Sequence, residues 1–400
     1  MDIDKGIKIV RAKLSEIWRR VTPLVDDKDL KKEIYLNGDN NLYPYEVEGV
    51  INNSPTAYRA AKLMAKYIAG KGFKEGVQDN IVDPVENHKL SNIAYIAAES
   101  IAYHYGVFFH IGYGYDQDQS GNLVLKQKTI KVMDYVEGRR QKKDSDDFEK
   151  MFIFKDFLAL SDRKTKKDDV KEYLYYPYNP DPKIVLAQIA KDSENNPDAV
   201  EALKAYRGQV FYLNLTPRFK YALSPIDSVY NDADSEYRFG LYTNTQFRSG
   251  FLGKTIAITS GLDEEQSNQT SKDLSKFLGS ENSGDIYQMD VSGVDDLDKV
   301  LKIIQLKPQF DDKLFEVNSK RISRNILGAF NNIPEQLVLG SDGAMFGTSG
   351  ETYKEMKVFY SEQTEDERYR LTECLTYLGF PCEIQPIAER EIKTTENAAT

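Results

Sequence analysis

Ile322-Ser323-Arg324-Asn325-Ile326-Leu327-Gly328-Ala329-Phe330-Asn331-Asn332-Ile333-Pro334 runs through Glu335-Gln336-Leu337-Val338-Leu339 into a loop punctuated by Gly340, Gly343, Gly347 and Gly350. Upstream, Phe310, Leu314, Val317, Ile322 and Ile326 recur at helical spacing, which predicts a long helix from about Pro308. Downstream, Glu351–Leu378 is a charged amphipathic run that reads as another long helix. Glycine lets a backbone bend and adopt positive φ at low steric cost. A flexible finger held between two rigid rods is the expectation, and nothing in it carries catalytic chemistry.

Outside this stretch the 400-residue chain is long enough for two or three modules. Its 26 tyrosines and 19 phenylalanines offer large amphipathic contact area of the kind found at subunit interfaces. The formal net charge of −10 argues against gripping nucleic acid by phosphate neutralisation, which needs clustered Lys and Arg. It leaves room for nucleic acid to slide past. Cys374 and Cys382 lack metal-site spacing and read as structural thiols. No stretch has the length of a membrane span or the form of a signal peptide, so a reducing cytosol is the expected place of synthesis.

Along the chain, Ile7, Val10, Leu14, Ile17, Trp18 and Val21 predict a first helix that closes near Leu24. Ser54-Pro55 starts a capped helix that Gly70 and Gly72 end, and Leu90–Tyr105 is a third. Val107–Tyr113 and Leu123–Val132 form a hairpin, with further strands at Met151–Phe157, Tyr173–Tyr176 and Gln209–Leu213 and a charged helix near Lys183–Tyr206. Ser224-Pro225 then opens a long helix to about Phe251. A small insert follows, with strands at Lys254–Thr259 and Asp285–Met289 around a helix at Glu264–Leu278. The last residues, from about Glu389, are polar.

The candidate reactive sites are weak. Gly253-Lys254-Thr255 resembles the end of a phosphate loop, but the glycine required five residues earlier is Arg248. The three histidines, His88, His104 and His110, share no helix face, so no metal is expected. No serine elbow or marked carboxylate pair is present, and no catalytic residue or cofactor is assigned. The acidic bias is more informative. Asp232, Asp234 and Glu236 fall early on one long helix, where acidity could line a passage for DNA and repel phosphate. A rival reading is a DNA-processing or nucleotide-using enzyme with the Gly340–Gly350 loop as a lid.

The order of these parts resembles the portal proteins of tailed bacteriophages. In that family a segment of the form Ile-x-x-x-Phe-x-x-Pro-x-x-Leu-x-Gly precedes a loop and a long helix. Ile326, Phe330, Pro334, Leu337 and Gly340 stand in comparable places with slightly altered spacing. Asn40-Asn41-Leu42-Tyr43-Pro44, Asn53-Ser54-Pro55 and Ile68-Ala69-Gly70-Lys71-Gly72-Phe73 are similar to portals of phages with Bacteroidetes-type hosts. The resemblance implies an α+β, portal-like fold: an α/β wing (1–223), a first stem helix (224–249), a small α/β clip (250–307) and a second stem helix (308–330). A C-terminal wing (331–380) would carry a tunnel loop (338–350) and a long helix, with a short tail (381–400) in place of a large crown. It further implies a non-enzymatic ring, usually of twelve subunits, at one capsid vertex of the virion, assembled in the host cytoplasm. Double-stranded DNA would pass through it. The large terminase subunit, a head-tail adaptor and the major capsid or scaffolding protein would be its partners, with no membrane. Gly340, Ser341, Asp342, Gly343, Ala344, Met345, Phe346, Gly347 and Thr348 would face the DNA, with Met345 and Phe346 either contacting DNA or neighbouring loops or docking against the helix from Glu351.

Overall fold

In the computed structural model, residues 34–141, 151–161, 170–249, 254–259, 301–306, 312–338 and 350–390 are described. The first predicted helix, the insert's helix and its second strand, and the glycine-rich finger lie outside the described residues.

The N-terminal body is a layer of helices on a curled sheet. Helix α1 (Tyr43–Asn53) buries Tyr43, Val47 and Ile51. The sequence reading does not assign it, because its apolar stripe is two turns long. Helix α2 (Pro55–Ala69) starts where expected, with Ser54 accepting the Ala57 N–H at 3.1 Å and Pro55 in the first turn. It ends at Gly70, whose φ is +67° and whose Cβ position would fall 2.0 Å from the Gln385 carbonyl oxygen, so only glycine fits. Helix α3 (Leu90–His104) packs on α2 through Ala57, Ala60, Ala61, Ala94, Ala97 and Ala98. Small side chains let the two helix axes approach closely.

A short pair, β1 (Ile81–Asp83) and β2 (His88–Lys89), precedes α3. The main sheet contains β3 (Gly106–Gln117), β4 (Leu123–Met133), β5 (Gly138–Arg140), β6 (Phe152–Phe154), β7 (Tyr173–Pro177) and β8 (Gln209–Asn214), in the order β4-β3-β8-β7-β6-β5. Only the β7–β8 pair is parallel. Alternation along β3 sends Val107, Phe109 and Ile111 into the helical core. Phe108 points to the other face, against Tyr135, Phe152, Phe154 and Val210. The 151–157 segment is a three-residue strand followed by helix α4 (Phe157–Ser161), not one strand.

Two predicted rods are broken. The charged segment at 183–206 forms α5 (Pro182–Asp192) and α6 (Ala199–Ala205). Glu194 and Asn195 take positive φ between them, and Asp198 caps the second helix by accepting the Val200 and Glu201 N–H groups. Ser224 caps a 3-10 turn (Pro225–Val229) that leads into α7 (Tyr230–Ser249). Strands β9 (Lys254–Thr259) and β10 (Leu301–Leu306) pair antiparallel, and β10 has no counterpart in the sequence reading. Helix α8 (Asp312–Ala329) returns to the body. After α9 (Glu335–Val338), the expected single helix at 351–378 is α10 (Gly350–Gln363) and α11 (Glu365–Tyr377). The break is at Thr364, whose hydroxyl donates back to the Tyr360 carbonyl at 3.1 Å, a bond that bends helices. Arg368 holds the bend by donating to the Ser361 and Tyr67 carbonyls, each at 3.3 Å.

Candidate functional site: the helix pair and the root of the finger

Helices α7 and α8 run antiparallel, since Asp232 near the start of α7 accepts a hydrogen bond from the Asn325 amide near the end of α8 at 3.0 Å. Their 20 and 18 residues span about 30 Å at roughly 1.5 Å per residue. The β9–β10 pair follows the far end of α7 and precedes the far end of α8. At the near end the pair is fixed into the body. The Ser224 hydroxyl donates to the Tyr103 carbonyl, and the Tyr43 hydroxyl lies 3.3 Å from both the Ser224 N–H and the Asp227 carboxylate. Ala233, Ile322, Ile326 and Leu327 are buried in the same core as α2 and α3.

The three acidic residues singled out on α7 do not share one face. At about 100° per residue, positions 232 and 236 lie on one side and 234 roughly 200° away from the first. Asp232 accordingly turns to α8. Glu236 turns to the body, where its carboxylate accepts hydrogen bonds from the Ser54 hydroxyl, the Thr56 N–H at 3.2 Å and the Thr56 hydroxyl at 2.6 Å. A carboxylate there satisfies donors at the start of α2 and opposes the positive end of that helix's dipole. Asp234 stays on the outside, paired with Arg238 one turn on at 2.6 Å. Nothing in the sequence marks Glu236 as a cap, because its partners lie about 180 residues away.

The end of α8 is clamped to the bend between α10 and α11. Asn331 and Asn332 both adopt left-handed backbone, with φ of 60° and 54°, which asparagine tolerates better than most residues. The turn lets the Ile333 N–H donate to the Leu327 carbonyl at 3.0 Å and closes the end of α8. The Asn331 amide then donates to the Gln363 carbonyl at 3.1 Å and to Glu367 at 2.9 Å, while the Tyr360 hydroxyl donates to the Phe330 carbonyl at 3.1 Å. The Tyr105 hydroxyl also donates to Glu367. Burial raises the Tyr105 and Tyr360 phenols above their usual range, with the Glu367 charge adding to the effect, so both stay neutral donors. The end of α8 and the α10–α11 bend are thus tied together by half-buried polar contacts. Glu367 and Tyr105 carry no sequence signal of this role, whereas Asn-Asn before Ile-Pro does signal a turn.

Burial pushes the Cys382 thiol up to about 11 and raises Cys374 as well, which keeps both protonated. His104 is buried with Nε2 3.2 Å from Glu48, and His110 lies against the Arg207 carbonyl at 2.6 Å, its pKa lowered by burial. Among the described residues no group of three His, Cys, Asp or Glu side chains could hold a metal ion, and no helix is long and apolar enough to cross a membrane. The predicted tunnel-loop residues Gly340, Ser341, Asp342, Gly343, Ala344, Met345, Phe346, Gly347 and Thr348 lie outside the described residues.

No protein-family model matches the sequence, and no curated protein was found to match it. Solved structures do match. A chain from the virion of a native gene transfer agent particle superposes with a TM-score of 0.50 at 13% identity, covering 86% of this chain and 83% of that one. A chain from the neck of an empty gene transfer agent particle gives 0.46 at 12% identity, covering 88% and 85%. An HK97-family phage portal protein from Corynebacterium diphtheriae gives 0.38 at 9% identity, covering 78% and 83%. The chain is a mixed helix-and-sheet protein that shares its fold with a chain of the gene transfer agent virion.

Proposed function

We propose that this chain is the portal subunit of a tailed-phage-like particle. In this reading many copies close into a ring at one vertex of the capsid, and double-stranded DNA threads the central hole during packaging and ejection. The observation that carries the reading is the antiparallel α7–α8 pair, rooted in the α/β body at one end and bearing a β pair at the other, on a fold shared with a virion chain. The body corresponds to a wing, the helix pair to a stem, and residues 250–307 to a clip that would dock the large terminase subunit and then a head-tail adaptor. The segment 338–350 would be the tunnel loop, with Gly340 to Thr348 converging on the duplex. The tie between the end of α8 and the α10–α11 bend supports that assignment, because a loop that touches a moving polymer needs a fixed frame. Of the acidic residues on α7, Asp232 and Glu236 would hold the stem in place, and Asp234 would present charge to the surroundings. The chain would act as a conduit and leave the work of packaging to a separate motor.

Cyclic closure requires head-to-tail contacts between copies. Negative-stain electron microscopy of the purified full chain tests this directly: an annulus with a central hole is expected. Compact monomers at every concentration, together with absence from virus particles, would overturn it.

A further inference from the structure

Strand β8 pairs with β3 along its length but with β7 only at Gln209 and Val210. Which main-chain groups that leaves open follows from strand parity. The Leu215 N–H donates to the Tyr105 carbonyl at 3.0 Å, on the β3 side, and the Val210 carbonyl accepts from the Tyr178 N–H at 3.0 Å, on the opposite side. Successive residues of a strand alternate the edge to which their N–H and C=O point. Tyr212 and Asn214 therefore direct both groups away from β3, toward an edge where no strand lies among the described residues. An unpaired edge of this kind is a template for another extended chain.

The edge opens into a cleft of about 450 Å³ whose walls include Arg140, Arg218, Lys220, Phe152, Tyr178 and Tyr212, with no Asp or Glu among its lining residues. The Arg140 guanidinium sits 5.8 Å from the Tyr212 ring centre and Lys220 Nζ 4.8 Å from that of Tyr35. None of the three cations has a carboxylate partner among the described residues. On a chain of net charge −10 this is a local reversal of sign. We propose that the cleft takes an extended, carboxylate-bearing segment of a partner polypeptide, which adds to β8 as a strand through Tyr212 and Asn214 and sets its acids against Arg140, Arg218 and Lys220. The open backbone edge favours a peptide over nucleic acid, whose backbone has no repeating amides to continue the ladder. This inference does not depend on ring formation.

A fluorescein-labelled peptide alternating glutamate and valine is the probe, read by anisotropy on the full chain. Salt-sensitive binding is expected, weakened about tenfold or more by the exposed pair Arg218→Glu and Lys220→Glu. A lysine-valine peptide should bind no better than background, and N-methylation of alternate amides in the acidic peptide should cost about tenfold. Unchanged far-ultraviolet circular dichroism of the double variant separates loss of the site from loss of the fold. Absence of binding, indifference to the charge reversal, indifference to N-methylation, or tighter binding of duplex DNA sensitive to the same substitutions would each overturn the proposal.

Discussion

Glu367 at the finger root and Asp234 on α7 are both carboxylates on helices, yet they live under opposite physics. Glu367 is 5% exposed and accepts hydrogen bonds from Tyr105 and Asn331. Asp234 pairs with an arginine whose side chain is 71% exposed. The first is held in a largely buried network, so its removal leaves half-buried donors short of a partner. The second exchanges one screened ion pair for hydration at little net change. Glu236, two residues from Asp234, belongs with Glu367, because it closes the start of α2. Acidity on a helix is therefore not one property, and the register of a residue decides whether its charge supports the fold or faces outward.

The widest difference between the two regions should appear in alkali. Burial raises Tyr67 and Tyr103 to about 12, and Tyr221 to about 12 as well, above an unfolded value near 10. A phenol whose folded pKa is raised stabilises the fold fully below the unfolded pKa, and that contribution is lost as pH climbs toward the folded one. The body should therefore unfold between about pH 10 and 12, followed by tyrosinate absorbance and circular dichroism together. Tyrosines all titrating near pH 10 with structure intact would erase the contrast. Next in size, Phe330→Ala should cost about 3–5 kcal/mol in urea unfolding, since Phe330 is fully buried beneath the root. Glu236→Ala should cost about 1–2 kcal/mol through the lost cap of α2. Asp234→Ala should change stability by less than about 0.5 kcal/mol. If the last two effects came out equal, the register argument on α7 would fail.

Much of the element order was legible in the chain. Ser54-Pro55, Gly70 and Ser224 carry local capping chemistry that needs no distant partner; the structure uses the first two as read, while Ser224 caps a 3-10 turn ahead of α7. The β3–β4 hairpin likewise follows from alternation around a Ser120-Gly121-Asn122 turn. The misses differ in cause. At 183–206 the apolar pattern lapses over residues 192–198, where Asn195, Pro197 and Asp198 encode a turn and a cap locally, whereas at 351–378 the bend depends on the bond from the Thr364 hydroxyl to the Tyr360 carbonyl, which periodicity does not encode. β10 was invisible because its pairing with β9 spans more than forty residues. In the candidate site, the Asn-Asn turn was readable and the Glu367 network was not.

The amino-acid sequence by itself determined where several helices start and stop, which faces are apolar, that the net charge is acidic, and that glycines cluster between positions 340 and 350. These are properties of neighbours along the chain, set by dihedral preference and spacing. Only the tertiary structure decided that Glu236 caps a helix 180 residues away and that Tyr105 and Asn331 meet on Glu367. It alone left one edge of β8 open beneath three cations. Those outcomes rest on which groups lose their water together, and desolvation is a property of the packed whole that no local stretch contains.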